Sequence, residues 1–304
     1  MKKKQVQRLV AFSVATMMAL QGLSVNASGP VPVRTDSNTQ MSSDKEVVYV
    51  NTYDTSKRVH DFDANWKFYL GDAEGAEQVN FDDSAWKTVS VPHDYSIEQE
   101  YTQSGEAESG YLPGGTGWYR KHFTLTEDMK DKEVRIDFGG VYMNATVWVN
   151  GTQLGTHPYG YTPFSFDITE YVKAGEDNVI TVKVDHQTPS SRWYSGSGIY
   201  RSVDLTVMDK VHVGLNGTKI ATPNLAKEKD GEVNMDIVTT VANEGKDAKE
   251  VTLVHTLREK GKKDTVATVT TDKQSVAAGK TADIEAKLKV NQPKLWGLGE
   301  KNAH

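Results

Sequence analysis

The sequence predicts an all-β protein, a jelly-roll β-sandwich followed by an immunoglobulin-like β-sandwich. Three observations carry this. Short runs alternate apolar and polar residues: in Glu133–Phe138, for example, Val134, Ile136 and Phe138 share one face. Turn signals separate these runs, the clearest being Asn150-Gly151 directly after Ala145–Val149, a strong short hairpin signal. Long runs of helical period are scarce, while glycine and β-branched residues are plentiful.

The elements follow in order. Trp66–Leu70 is apolar at alternate positions. Residues 78–86 read as a turn with a short helical piece, because Asp82, Asp83 and Ser84 are good N-caps. Residues 86–91 lead into Pro92, His93 and Asp94, and residues 118–125 alternate as a strand. After Glu133–Phe138 come Ala145–Val149 and its return strand, 152–155. Residues 164–168 form a further strand, 167–172 a short turn before Gly175, and 178–185 and 202–207 two more strands. Regular short strands with turn signals between them predict a sandwich or jelly roll over residues 46–209.

The composition then changes. Aromatic residues all but vanish over 210–290, while Val, Thr, Lys and Glu dominate. Val233, Met235 and Ile237 alternate, as do Val251 and Leu253, and Ile284, Ala286, Leu288 and Val290. About seven strands over this span fit an immunoglobulin-like sandwich acting as a spacer. Residues 291–304, with Pro293 and Trp296, depart from strand rhythm and read as the start of a linker towards another domain.

The first 27 residues read as a secretory signal peptide. Lys2, Lys3, Lys4 and Arg8 precede an apolar run over 9–20, and Val25-Asn26-Ala27 forms a cleavage site. The run is too short to span a bilayer comfortably, so a secreted or cell-surface, bacterial location is expected, with no membrane association after cleavage. Residues 28–45 read as a flexible leader. The chain has no cysteine, which excludes disulfides, thiolate metal ligands and cysteine nucleophiles. A net charge of −6 with interspersed signs gives no nucleic-acid footprint.

Two loops are unusual. Residues 190–201 gather Arg192, Arg201, Trp193, Tyr194, Tyr200, Gly196 and Gly198 between two strands. Flat apolar faces beside planar donor forks are what a pyranose ring needs. Trp193 and Tyr200 read either as sugar-facing or as plugs at a sheet end. Residues 110–120 hold four glycines and a proline around Tyr111 and Trp118. Trp118 reads equally as a pocket-rim aromatic or as strand core. His93 and Asp94 are a possible acid/base pair, but adjacent residues rarely aim at one atom. No metal-ligand spacing, serine-nucleophile elbow or phosphate loop occurs. Neither cofactor nor metal is expected.

Residues 92–97, 110–120, 139–142, 147–151, 160–164 and 191–201 follow in an order and spacing that resemble the N-terminal sugar-binding domain of glycoside hydrolase family 2, in its β-galactosidase branch. The resemblance extends through the second sandwich to the Pro293-to-Trp296 segment. It implies a galactose-binding-like jelly roll. In that family hydrolysis is retaining and uses two glutamates carried by a TIM barrel of about 250 residues. No glutamate here matches that motif, so no catalytic residue is assigned and the chain is expected to be inactive alone. The resemblance assigns substrate-binding roles to Arg192 and Trp193, and weaker ones to Trp118 and Asp94. Arg192 would donate to sugar hydroxyls, a tryptophan would cover the sugar's apolar face, and Asp94 would accept from a hydroxyl or brace the loop. The expected partners are a carbohydrate, taken as a β-galactoside, and the missing barrel. A stand-alone carbohydrate-binding or adhesion module is the rival reading, and a structural spacer the third.

Overall fold

The computed structural model describes residues 57–228 and 231–295. The expected signal peptide, leader and Trp296 lie outside the described residues. The first sandwich has twelve strands, all antiparallel in their ladders: β1 (Val59–Asp61), β2 (Trp66–Leu70), β3 (Lys87–Val89), β4 (Gly115–Thr124), β5 (Glu133–Phe138), β6 (Val141–Tyr142), β7 (Ala145–Val149), β8 (Thr152–His157), β9 (Phe164–Asp167), β10 (Asp177–His186), β11 (Gly198–Ile199) and β12 (Val203–Met208). A four-stranded sheet runs β1-β12-β5-β9 and a six-stranded sheet β3-β2-β4-β10-β7-β8, with β11 and β6 paired separately.

The period-2 pattern explains the core. Ile136, Phe138, Val203 and Leu205 from the four-stranded sheet meet Trp66, Tyr119, Val147, Ile180, Val182 and Val184 from the six-stranded one. Each fully buried side chain of this size contributes about 1.5–3 kcal/mol through apolar burial. A core of this size stabilises the sandwich without a disulfide.

The outer face of the six-stranded sheet is covered as well. The expected helical piece at 78–86 is absent: the segment is a chain of turns. Asp82 Oδ1 accepts from the Ser84 backbone N–H at 3.0 Å, so the cap-like residues close a turn and start no helix. With the turns just before it, residues 72–86 lay Ala76, Phe81 and Trp86 over Trp118 and Trp148. Trp118 stacks on Trp148 with centroids 5.7 Å apart, and Trp86 on Tyr69 at 5.5 Å. Arg120, fully buried, fastens the cover. Its Nε donates to Asp83 Oδ2 at 2.8 Å, and its Nη1 to the carbonyls of Ala76 and Gln78 and to Thr181 Oγ1. Burial works to raise the Asp83 carboxyl, but hydrogen bonds from His122 and Arg120 outweigh it and hold it below the usual value.

Lys121, the next residue, points to the other face. Its Nζ donates to the Ala64 carbonyl and lies 4.3 Å from the Phe62 ring centroid. Burial lowers this ammonium to about 8, against opposing pulls from Asp61 and Asp63.

The second sandwich contains β13 (Val211–Ala221), β14 (Glu232–Asn243), β15 (Lys249–Val251), β16 (Val254–Arg258), β17 (Thr265–Thr270), β18 (Gln274–Val276) and β19 (Lys280–Asn291). Its largest sheet is β13-β14-β19, with Val233 opposite Val290 and Ile237 opposite Ala286. Two small aliphatic clusters form the core, with buried Thr239 lying along β14 between Ile237 of one and Val241 of the other. A one-turn helix, Leu225–Glu228, follows β13.

Asp83→Ala strands the buried Arg120 charge. It is expected to cost about 3–5 kcal/mol in chemical denaturation, whereas Lys87→Ala, which breaks an exposed pair with Glu98, costs less than about 1 kcal/mol. An unfolded lysine titrates near ~10.4. Between pH about 8 and about 10 the unfolded chain therefore binds more protons at position 121, and stability rises with pH. Lys121→Met should flatten that rise relative to the parent chain; equal slopes would contradict the buried-ammonium account.

Candidate functional site

The two unusual loops meet at one end of the first sandwich. Residues 93–95 run beside residues 197–199. The His93 N–H donates to the Ile199 carbonyl at 2.7 Å, and the Tyr95 N–H to the Ser197 carbonyl at 3.0 Å. The 110–117 loop closes over them, because Tyr95 Oη donates to the Gly115 carbonyl at 2.7 Å and Ser96 Oγ to the Pro113 carbonyl at 2.8 Å.

Close packing here requires glycine. A Cβ at Gly198, where φ is +112°, would lie 2.2 Å from Tyr119 Oη. One at Gly117 would lie 2.7 Å from the Tyr95 ring. No larger residue lets the backbones approach this far.

Asp94 is the brace of the site. Its Oδ1 accepts from the backbone N–H groups of Ser96 and Ser197 at 3.0 and 2.9 Å. Its Oδ2 accepts from Tyr194 Oη. Of the two roles expected for Asp94, the structure displays the bracing one. Burial, then the Asp94 carboxylate, pushes the Tyr194 phenol up, so Tyr194 stays a neutral donor.

His93 is set behind Asp94. Its Nδ1 lies 2.8 Å from Tyr119 Oη, and its Nε2 is 3.3 Å from Glu98 Oε1 without the alignment of a hydrogen bond. Burial lowers the His93 pKa, with Glu98 opposing. His93 and Asp94 bond to different partners and do not act as an acid/base pair on one atom.

Arg192 and Trp193 are both exposed at the tip of this braced loop, Trp193 at 64%. Exposed Tyr194 lies near exposed Tyr101, and the neighbouring Thr102 N–H donates to the carbonyl of exposed Tyr111 at 3.0 Å. Trp118 does not join them. It is 6% exposed, on the outer face of β4, under the 72–86 cover and beneath Lys183. A rim position requires an open ring face, and this ring has none. Tyr200 turns away to donate to the Gly160 carbonyl at 2.8 Å, and Arg201 lies over the Tyr200 ring. Among the described residues no three His, Cys, Asp or Glu side chains converge as a metal site would require.

Sequence reasoning did not single out His186, Ser190, Ser197 or Tyr142, which underlie the loop. His186 shares parity with Ile180, Val182 and Val184 in β10, and that parity was the signal available for finding it.

Comparison with known proteins gives a consistent result. Residues 59–209 match the family Glycosyl hydrolases family 2, sugar binding domain, and residues 218–303 match Glycosyl hydrolases family 2. The β-galactosidase BoGH2A of Bacteroides ovatus is 41% identical over 241 residues, covering 78% of this chain and 28% of the relative. A putative β-glucuronidase of Formosa agariphila is 37% identical, covering 80% and 22%. A solved glycosyl hydrolase family 2 member from Bacteroides cellulosilyticus superposes with a TM-score of 0.74 at 35% identity, covering 81% of this chain and 32% of that one. The chain thus spans less than a third of the length of these relatives.

Asp94→Ala leaves two backbone donors and the Tyr194 hydroxyl without their acceptor. It is expected to cost about 1–3 kcal/mol in denaturation and to bring the Tyr194 phenol back towards about 10, read from tyrosinate absorbance. An unshifted Tyr194 titration would show that the carboxylate does not hold the loop.

Proposed function

Because the chain belongs to glycoside hydrolase family 2, we propose that it is the non-catalytic part of a secreted β-galactosidase-like hydrolase and shapes its sugar subsite. The observation that carries this reading is the pairing of Arg192 and Trp193. An indole 64% exposed and, one residue before it in the chain, an exposed guanidinium lie on a loop pinned from below by Asp94. An open aromatic face on a braced loop presents apolar area at a reduced entropic cost of ordering the backbone on binding. The guanidinium supplies a fork of donors for ring hydroxyls.

In this reading Trp193 covers the C–H face of the sugar and Arg192 donates to its hydroxyls, while Asp94 keeps the loop in place. Hydrolysis of the O-glycosyl bond would be retaining, with two glutamates on a barrel domain supplying acid/base and nucleophile. Neither is assigned to this chain. A β-galactoside is the proposed substrate, in keeping with the name of the B. ovatus relative. A glucuronide is the alternative that the F. agariphila relative's name raises. Secretion is proposed from the basic and apolar pattern of residues 1–27.

Titrating the chain with galactose while following tryptophan fluorescence tests the reading. Saturable quenching is expected, lost in Trp193→Ala and shifted about tenfold to weaker affinity in Arg192→Ala, equivalent to about 1.4 kcal/mol. The chain should release no product from a chromogenic galactoside. A Trp193→Ala chain that responds like the parent, or no response to either galactose or glucuronate, would overturn the sugar-facing role of the loop.

A further inference from the structure

His186 ends β10 on its core-facing side and is 4% exposed. Its two ring nitrogens reach the two ends of the loop that carries Arg192 and Trp193. Nδ1 lies 2.5 Å from Ser197 Oγ, and Nε2 lies 2.9 Å from Ser190 Oγ. One face of the pocket is Gly114, where a Cβ would sit 2.9 Å from His186 Cγ; Tyr142 packs edge-on with centroids 5.0 Å apart. The imidazole therefore has no room to rotate out of register.

Counting hydroxyl protons fixes its tautomer. A hydroxyl has one proton to give. Ser96 Oγ gives its proton to the Pro113 carbonyl at 2.8 Å. In its 2.5 Å contact with Ser197 Oγ it must accept. Ser197 has then spent its proton on Ser96, and must accept from His186 Nδ1–H. The other nitrogen, Nε2, is left bare to accept from Ser190 O–H, and Ser190 accepts from Tyr142 Oη at 3.2 Å. All the donors run one way, from Tyr142 through Ser190, His186, Ser197 and Ser96 to the Pro113 carbonyl. Burial lowers the His186 pKa, with Asp94 and Asp185 opposing, which agrees with a neutral ring.

We infer that His186, as the Nδ1–H tautomer, is the positioning residue that sets the Arg192–Trp193 loop by holding Ser190 and Ser197 at once. The functional importance of that loop rests on the sugar-subsite reading, but the fastening itself is tested without sugar. Amide hydrogen exchange on the whole chain should show residues 190–198 losing protection about tenfold or more in His186→Ala, with β5 and β12 unchanged. His186→Asn places a donor near the Nδ1 position and should restore protection at the Ser197 end alone. His186→Gln places an acceptor near the Nε2 position and should restore the Ser190 end alone. The imidazole nitrogen shifts of the parent chain should report the Nδ1–H form.

If His186→Ala fails to fold, Ser190→Ala and Ser197→Ala each remove one of the two His186 contacts, together with that serine's bond to Tyr142 or Ser96, and should loosen only their own end. Unchanged exchange at 190–198, identical behaviour of the Asn and Gln variants, or an Nε2–H tautomer would overturn the inference. Loosening as expected in a parent chain that binds no sugar would uphold the positioning role and discard the sugar reading alone.

Discussion

Ten residues of β10 lie against ten of β4, from Asp177 opposite Thr124 to His186 opposite Gly115. Much of the first sandwich hangs on this one register. Strand side chains alternate between faces, so a slip of one residue would exchange every inward group for an outward one. In the register present, Ile180, Val182 and Val184 enter the core, and His186 continues the same row to the loop end. Thr181 and Lys183 face outward and meet their cross-strand partners Arg120 and Trp118. The same ladder thus places the core, the outer cover and the base of the candidate site.

Arg120 and Lys121 show how two adjacent buried cations can be accommodated differently. Arg120 points outward into a cover that brings a carboxylate and two carbonyls to its planar donors. Lys121 points inward, where one carbonyl and aromatic faces receive it. The guanidinium's weak hydration suits full pairing, while the ammonium's pKa yields to burial. The consequence is a cover segment fastened by charge and a core edge that is sensitive to pH.

The sequence made strands such as β5 and β7 legible because their burial alternates residue by residue, whereas β4 and β10, covered on both faces, alternate less cleanly. Glu133–Phe138 and Ala145–Val149 appear with the limits their patterns suggested. The family was legible in six short motifs kept in order. The cover was not, since a cap-forming Asp-Asp-Ser closes an Asx turn as readily as it starts a helix. Trp118 was ambiguous for a related reason: alternation gives its face of β4, but the segment that buries that face lies more than thirty residues earlier in the chain. Asp94 was named from the sequence but its partners were not, and His186 was missed altogether, because those partners are distant in sequence or on loops. Asp94 bonds across 103 residues to Ser197, and no local pattern encodes such a contact.

The fastening at Ser190 and Ser197 divides the loop's duties. Its fastenings are at Ser190, at Ser197 and, next to Trp193, at the Tyr194 hydroxyl that Asp94 accepts. Arg192 and Trp193, between them, point into water. Residues 191–193 therefore form an exchangeable cassette. In the sugar-facing role proposed for them, replacing their side chains would alter which sugar is favoured while the clamp beneath, and the sandwich that supplies it, remain as they are.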